Sequence, residues 1–343
     1  MLELYEAAGA FGELERYLAE ERFSEREDAV ADLFLGYGLS AAIRREATPA
    51  PPEPCPLPLL ACRIRPCSRD SPSDTAGFAV GDWDRSWTDA AYAAAVDEVR
   101  AAIARGDVYQ VNLVQHLSAP FDGGPVALAA ALAPLRPLVT EPFATRDWAV
   151  VSASPELFLE RRGRRVRTSP IKGTVPLGET IDSEKDAAEH VMIVDLERND
   201  LSRVCVPGSV RWPELMAERE LAGVVHRVSV VEGVLREEVG IAELLEATFP
   251  GGSVTGAPKI AAVDHIARLE PVGRGASMGA LGRLRPNGDL ELALTIRTFA
   301  LAEERIHLWV GGGIVWDSEP AAEIEESWVK ARPLLDALRV PVA

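Results

Sequence analysis

The chain has 343 residues, 47% of them hydrophobic, and its 53 acidic and 36 basic side chains give a formal net charge of −17. This composition supports a large core and is unlike that of a disordered protein. The acidic balance argues against a nucleic-acid partner, because phosphates would be repelled. No run reaches the roughly 18 to 20 apolar residues of a membrane span, and Met1 to Glu6 lack a basic signal-peptide start, so we expect no membrane association and a cytoplasmic location.

Cysteine and lysine are both scarce. Four cysteines in so long a chain fit neither a disulfide scaffold nor a common zinc pattern, so free thiols are expected. Only four of the 36 basic residues are lysines, namely Lys172, Lys185, Lys259 and Lys330. All the others are arginines.

The pattern along the chain predicts three parts. Residues 1–46 are acidic, with Leu14, Tyr17 and Leu18 at helical spacing, and are predicted to be a short helical N-terminal segment. Residues 47–76 contain six prolines between Pro49 and Pro58 and are predicted to be an extended connector with a short strand near Leu59 to Ile64. The catalytic domain is predicted to span residues 77–343.

That domain shows hairpins separated by helices. Thr88 is a plausible N-cap of a helix that ends before Gly106. Hairpins are predicted from Ala149 to Ser169 and from Gly279 to Phe299, with a third reaching His307 to Val310 through Glu303 and Glu304. Further helices are predicted at Ser183 to Leu196, Ile241 to Thr248, Pro258 to Leu269 and Ala321 to Leu338. The fold class is therefore α+β, rich in antiparallel sheet and with flanking helices.

Two glycine-rich segments are candidates for ligand contact. Gly251 to Lys259 leads into a helix start that can hold an anion, with Thr255 and Lys259 as side-chain donors, although a tight loop with an ordinary N-cap explains it as well. Gly311 to Gly313 sit near a strand end, where glycine marks a bulge or a close approach of a ligand to the backbone.

Two acidic pairs are candidates for a metal site. Asp186 and Glu189, like Glu323 and Glu326, are three residues apart on a predicted helix and share one face. Their oxygen atoms would suit Mg²⁺ if the two helices converge. Roughly eight such pairs are expected by chance, so a solvated helix face is the alternative.

Four charged or polar residues lie in or next to β-type runs. Lys172 stands where a strand meets a turn and is either a solvated charge or a nucleophile, and Glu156 on the partner strand could be an acid or base close to it. His226, in an apolar run, is commonly a core histidine. A buried arginine needs an anionic partner, which makes Arg297 a candidate for binding a carboxylate or phosphate.

Taken together, these motifs closely resemble those of the chorismate-utilising enzymes across residues 85–340, in the family's order. The matching segments are Asp107 to Asn112, Ser154 to Glu156, Pro170 to Thr174, Glu189 to Asp200, Gly251 to Lys259, Ile296 to Thr298, Gly311 to Gly313 and Glu323 to Lys330. The resemblance implies a chorismate-binding fold.

Within the family, the sequence is most similar to the aminodeoxychorismate synthases. Anthranilate synthases carry alanine where Lys172 stands, and isochorismate and salicylate synthases use a lysine base at the place of Gln110. Two alternatives stay open, an anthranilate synthase that tolerates the lysine and a catalytically silent chorismate-binding subunit.

The resemblance also implies roles for individual residues. Lys172 would be the nucleophile, Glu156 the acid, and His226 would lie near the departing hydroxyl or a ring substituent. Mg²⁺ would bind Glu189 and Glu326, with Asp186 and Glu323 behind them. Chorismate would be held by Thr255, Gly256, Arg297, Gly311, Gly312, Gly313 and Lys330.

The implied product is 4-amino-4-deoxychorismate, a precursor of 4-aminobenzoate and folate, with ammonia supplied by a glutamine amidotransferase subunit. The chain departs from the family at Arg283, where tyrosine is usual. It also has a short N-terminal region, which puts a tryptophan-binding pocket in doubt.

Overall fold

Strands and helices alternate irregularly in the structure, a computed structural model that describes residues 1–67, 77–176, 184–221 and 224–339. The first elements are β1 (Leu2–Leu4), α1 (Ala10–Glu20), β2 (Ala29–Leu35), β3 (Leu60–Pro66), β4 (Ala79–Val80), β5 (Asp84–Arg85), α2 (Asp89–Arg105), β6 (Gln110–Asp122), α3 (Pro125–Leu132), β7 (Phe143–Ala144), β8 (Trp148–Ser152), β9 (Leu157–Arg162), β10 (Arg165–Ser169) and β11 (Ile171–Pro176). They are followed by α4 (Glu184–Ser202), β12 (Arg211–Leu221), β13 (Val224–Val234), α5 (Ile241–Thr248), β14 (Gly256–Ala257), α6 (Lys259–Leu269), β15 (Ala280–Leu284), β16 (Leu290–Leu294), β17 (Thr298–Ala302), β18 (Arg305–Ile314) and α7 (Pro320–Ala337).

Two sheets organise these strands. Within the described residues, ten strands form the larger sheet, in the order β1-β3-β2-β15-β16-β9-β10-β13-β11 with β12 beside β13. Eight form the smaller one, in the order β14-β6-β18-β17-β8-β7 with β4 and β5 also paired to β6. The pairings are antiparallel, which confirms the α+β prediction.

The core lies between the sheets and under the helices. Phe34 of the larger sheet and Trp148 of the smaller one have ring centroids 5.8 Å apart. On its other face the smaller sheet packs Leu117 and Leu308 against Leu128 of α3 and Leu334 of α7. Each fully buried side chain of this size contributes about 1.5 to 3 kcal/mol, so the two layers hold the smaller sheet from both sides.

The register between β6 and β18 decides which residues reach the inner face of the smaller sheet. Gly313 lies opposite Asn112, and Gly312 lies opposite Leu113. Because side chains alternate along a strand, Gln110 and Asn112 share the inner face with Gly313. Leu113 and Gly312 face the helices instead.

The predicted helices of the main domain are confirmed, and its hairpins are confirmed in part, because Ala149 (β8) and Phe299 (β17) lie in the smaller sheet, apart from the β9–β10 and β15–β16 hairpins of the larger one. The Thr88 hydroxyl accepts the Ala91 N–H at the start of α2, and Gly106 ends that helix with a φ of 82°. The hairpins are β9–β10, β15–β16 and β17–β18, the last turning through Glu303 and Glu304. The helix predicted from Ser183 is α4, although Ser183 itself is outside the described residues.

The helical prediction for residues 1–46 is wrong at β1 and β2, whereas α1 and the short 3₁₀ helices Phe23–Glu25 and Tyr37–Ile43 agree with it. Residues Ala29–Leu35 form β2, which is buried throughout and pairs with β3 on one side and β15 on the other. A short run that is apolar on both faces has no periodicity to separate a strand from a helix. The strand predicted near Leu59 to Ile64 is β3, and the proposed boundary at residue 77 stays a prediction.

No helix in the described part of the chain is both long and apolar enough to cross a membrane.

Candidate active site

The helix α7 brings three charged side chains to the glycine stretch of β18. A β-carbon on Gly312 would lie 3.2 Å from Glu326 Oε1, 3.3 Å from Lys330 Nζ and 3.5 Å from Glu323 Oε2. Lys330 Nζ donates to the Gly311 carbonyl at 2.9 Å and lies 2.7 Å from Glu326 Oε1. Burial raises the pKa of Glu326, but the Lys330 ammonium outweighs it and holds this pKa below its ordinary value.

On the inner face, α4 and β6 bring two more polar groups to the same strand end. A β-carbon on Gly313 would lie 2.5 Å from Glu189 Oε1 and would overlap the Gln110 amide. Glu189 Oε1 accepts from Lys172 Nζ at 2.6 Å and from Gln110 Nε2 at 2.5 Å. Burial opposes ionisation of Glu189, but the Lys172 ammonium lowers its pKa overall. Only residues without side chains allow groups to approach from both faces of the sheet.

The carboxylates around these glycines match Mg²⁺ in donor type. Glu189 and Glu326 are close enough that the charge of the first raises the pKa of the second, and both offer hard oxygen donors. The side chain of Asp186 lies outside the described residues. Within the part of the chain that is described, no group of three His, Cys, Asp or Glu side chains is arranged to hold a metal ion, so Mg²⁺ stays a prediction.

A bulge in β11 directs Lys172 into the site. The register with β13 shifts between Lys172 and Thr174, and Gly173 between them has a φ of 68°. Burial lowers the pKa of Lys172, but the Glu189 carboxylate outweighs it and holds the lysine protonated. The lysine lies opposite Arg227 of β13, so the sequence-based placement of Lys172 and Glu156 on one hairpin is wrong.

Glu156 nevertheless reaches the same site from the connection between β8 and β9. It is 4% exposed, and Ser253 Oγ donates to its Oε1 at 2.7 Å. Burial raises the pKa of Glu156 to about 7, against the opposing effects of Ser253, Lys172 and Arg297. A carboxyl with this pKa is half protonated at neutral pH and can serve as a general acid.

Arg297 lies within electrostatic range of both Glu156 and His226. Arg297, with a φ of 50°, makes no side-chain hydrogen bond or ion pair with any described residue, and burial lowers its pKa. A half-buried guanidinium in this state suits an incoming carboxylate. The His226 ring, 1% exposed, lies 3.3 Å from the Gly173 carbonyl through Nδ1, and burial followed by the Arg297 charge lowers its pKa.

The loop at 251–256 is held by its own contacts and by β6. Thr255 Oγ1 donates to the Gly251 carbonyl at 2.9 Å, and Gly256 pairs with Val111 of β6. Lys259 does not point to an anion site, as the sequence suggested, because its Nζ bonds Asp200 at 2.5 Å. The loop can therefore offer backbone groups, while these two side chains are already engaged.

One supporting residue was missed from the sequence. Arg274, 1% exposed, donates to the Val254 carbonyl of the loop and to the Asn112 carbonyl of β6, each at 2.8 Å, and pairs with Glu270. It thereby ties the loop to the strand that carries Gln110. A lone arginine between two glycines in an apolar stretch was the available signal.

The residues of the candidate site lie within a segment of the chain that matches a known protein family. The chorismate binding enzyme family matches residues 44–336, and the chain belongs to this family. It is 37% identical over 91% of its length to anthranilate synthase component 1 of Streptomyces coelicolor, and 37% identical over 79% to aminodeoxychorismate synthase component 1 of Salmonella typhimurium. It spans 61% and 62% of the lengths of these two relatives.

Solved structures show the same fold. Anthranilate synthase component I of Streptococcus pneumoniae superposes with a TM-score of 0.80 at 27% identity, over 92% of this chain and 84% of that one. The menaquinone-specific isochorismate synthase of Escherichia coli gives a TM-score of 0.71 at 18% identity, over 96% of this chain and 82% of that one. The predicted family and its fold are thus confirmed.

Substitutions in the glycine stretch should distinguish effects on stability from effects on activity. In G313A the new methyl group meets the ends of the Gln110 and Glu189 side chains, which can move, so we expect near-normal stability and a loss of chorismate turnover of about tenfold or more. In G311A it meets the backbone of Leu113 and Val114, so stability itself should fall by about 1 kcal/mol or more. Urea unfolding and turnover assays check both, and normal turnover by folded G313A would contradict the assignment.

Proposed function

We propose that the chain converts chorismate and ammonia to 4-amino-4-deoxychorismate, as an aminodeoxychorismate synthase component I does. The observation that carries the proposal is the half-buried Lys172, which the β11 bulge directs towards Glu189 within electrostatic range of Glu156. Relatives with that printed name include those of Salmonella typhimurium and Bacillus subtilis, each 37% identical over 286 residues.

In the proposed reaction, Lys172 and Glu156 act on the substrate ring together. The lysine nitrogen bonds to C2 while the 4-hydroxyl takes the Glu156 proton and leaves as water. Ammonia then bonds to C4, the C2–nitrogen bond breaks, and the lysine is restored. The lysine must be neutral to attack, so its ion pair with Glu189 has to open and its proton has to pass to solvent before this step.

The positive groups around the site would hold the carboxylates of chorismate. Arg297 is available for one of them, and Lys330 and the backbone of Gly311 to Gly313 border the other end of the site. His226 would lie next to the ring of the substrate. The 251–256 loop would contribute backbone groups at Gly256 to the binding of chorismate. The Thr255 hydroxyl would not contribute, because it already donates to the Gly251 carbonyl.

We propose Mg²⁺ as the cofactor, held by Glu189 and Glu326 with Glu323 and Asp186 behind them. When bound, it would offset the charge of a substrate carboxylate. Ammonia would come from a glutamine amidotransferase subunit, in keeping with the name component 1 that the relatives carry.

One observation favours a second function. As an ammonium paired with Glu189, Lys172 is not a nucleophile, and a chain whose lysine stays protonated would instead be expected to form anthranilate. Anthranilate synthase component 1 of Thermus thermophilus is 42% identical over 265 residues.

Product analysis of K172A separates the two functions. With chorismate, ammonia and Mg²⁺, the wild type should give a product that a lyase converts to 4-aminobenzoate, and K172A should lose about a hundredfold or more of this activity. K172R keeps the charge without the nucleophile and should lose as much. Release of anthranilate with pyruvate, undiminished in K172A, would overturn the proposal.

The pH dependence should report Glu156. This residue acts in its protonated form with a pKa of about 7, whereas Lys172 acts in its neutral form and its pKa is raised, so turnover should rise with pH below about 7 and level off above that value. E156Q cannot give a proton and should lose about 10² to 10⁴ in kcat, and its turnover should keep rising through pH 7. E160Q, on β9 beside Arg162, is the matched control and should keep the levelling near pH 7. An unchanged profile in E156Q would exclude this acid.

Substitution within α7 tests the metal ligands. E326Q should weaken Mg²⁺ binding, measured by calorimetry, by about tenfold or more and raise the Mg²⁺ concentration needed for turnover. E325Q, on the same helix but paired outward with Arg332, should leave both unchanged. Equal Mg²⁺ affinity in the two variants would contradict the proposed ligand set.

A further inference from the structure

Buried hydroxyl groups lie next to the segments that carry Glu156 and Arg297. Ser154 and Thr298 are fully buried, and Ser152 is 5% exposed. Ser152 of β8 and Thr298 of β17 are cross-strand partners, and their hydroxyl oxygens are 2.8 Å apart. This contact, the Ser152–Thr298 hydroxyl pair, takes no part in the reaction proposed above, although it lies beside two of the residues that do.

The hydrogen bonds of the Ser152–Thr298 hydroxyl pair run in one direction. Thr298 Oγ1 donates its single proton to the Ile296 carbonyl at 2.8 Å, so in its contact with Ser152 it can only accept. Ser152 Oγ therefore donates to Thr298, and it accepts the Ser154 N–H at 3.2 Å. A continuous chain of hydrogen bonds thus leads from the Ser154 N–H through both hydroxyls to the Ile296 carbonyl.

One end of this hydrogen-bond chain spans Arg297. Ile296 precedes the arginine and Thr298 follows it, so the bond from Thr298 Oγ1 to the Ile296 carbonyl joins its two neighbours. The backbone of Arg297 lies in the left-handed region, with a φ of 50°, which is unfavourable for a residue that has a β-carbon. The Arg297 carbonyl also accepts the Ala153 N–H at 2.9 Å. These local hydrogen bonds therefore hold the arginine in a conformation that its own backbone preference opposes.

The other end of the chain reaches the acid of the proposed reaction. Ser154 donates its N–H to Ser152, and its Oγ accepts the Glu156 N–H at 3.2 Å. Burial raises the pKa of Glu156, and the charge of Arg297 is among the effects that oppose this rise, so the two side chains lie within electrostatic range. The same buried hydroxyls therefore fix the backbone at both residues.

We propose that Thr298 and Ser152 are positioning residues, whose hydroxyl pair holds Arg297 in its left-handed conformation and so directs its guanidinium at a carboxylate of chorismate. The inference rests on the proposed function, in which Arg297 binds that carboxylate. Without the pair, the backbone at Arg297 can relax to a favourable negative φ, which turns the side chain away from the site. A carboxylate contact is present in both the bound substrate and the transition state, so its loss raises KM more than it lowers kcat.

The first test is the kinetics of T298V, in which the side chain keeps its shape and loses its hydroxyl. With chorismate, ammonia and Mg²⁺, its KM for chorismate should rise by about tenfold or more, while kcat should stay within about threefold because the hydrogen bonds at the Glu156 end remain. T298S keeps the hydroxyl and should restore the KM. T248V is the matched control, because the buried Thr248 also donates to a backbone carbonyl, that of Leu244 at 2.9 Å, and it should keep the wild-type KM.

Binding of chorismate without turnover gives the second test. In a K172A background, with Mg²⁺ and without ammonia, calorimetry should show chorismate bound about tenfold more weakly when T298V is added. S152A removes only the cross-strand half of the pair and should weaken binding about threefold, and it decides alone if T298V does not fold.

Unchanged binding in these variants would overturn the inference, and so would an equal loss in T248V, which would indicate a general loss of stability. The proposed function fails separately, if the wild type releases anthranilate. The binding comparison then still decides the role of the pair, because it does not depend on which product is formed.

Discussion

The antiparallel ladder between β6 and β18 is the constraint on which the site depends. Ten consecutive pairs join the strands, from Arg305 opposite Pro120 to Ile314 opposite Val111. A slip of one residue would turn Gln110 and Asn112 towards the helices and Leu113 towards the site. The buried apolar residues on both faces therefore fix the register, and the register places the polar groups.

Charge pairing explains why the few lysines stand where they do. Lys172, Lys259 and Lys330 each lie against a single carboxylate, those of Glu189, Asp200 and Glu326 respectively. An ammonium is a compact charge that fits beside one oxygen, whereas a guanidinium is a broad planar fork. Arginine forms the other ion pairs of the described residues, most of them exposed, and also the buried pair of Arg274 with Glu270. The side chain of Lys185 lies outside the described residues.

The sequence predicted those parts of the fold that have a strong local pattern. The helix between Thr88 and Gly106 has an N-capping residue, apolar residues at helical spacing and a glycine at its end. The β17–β18 hairpin has a clear turn. By contrast, β2 carries no periodicity, since both of its faces are buried, and one of its two partners, β15, lies far away in sequence. The connection between β11 and β13 was also missed because a pairing across an intervening helix leaves no local signal.

The site was predictable where a motif limits the residue type. Glycines 311–313 and the two acidic helices indicated where ligands would meet, and Arg297 was identified as a lone charge in an apolar strand. The Ser152–Thr298 hydroxyl pair and the supporting role of Arg274 depend on burial and long-range contact. Neither property can be read from residue type alone, so these residues became visible only when the elements were assembled.

The central position of β2 has a consequence for synthesis of the chain. Leu35 of β2 pairs with Ala280 of β15, a separation of 280 − 35 = 245 residues. At roughly 5 to 20 residues per second, a ribosome takes roughly 12 to 50 seconds to deliver the partner strand. During that time one edge of β2 has no neighbour in the sheet, and such edges invite pairing between chains. The larger sheet therefore closes late, and the yield of folded protein depends on how well this early strand is protected while translation continues.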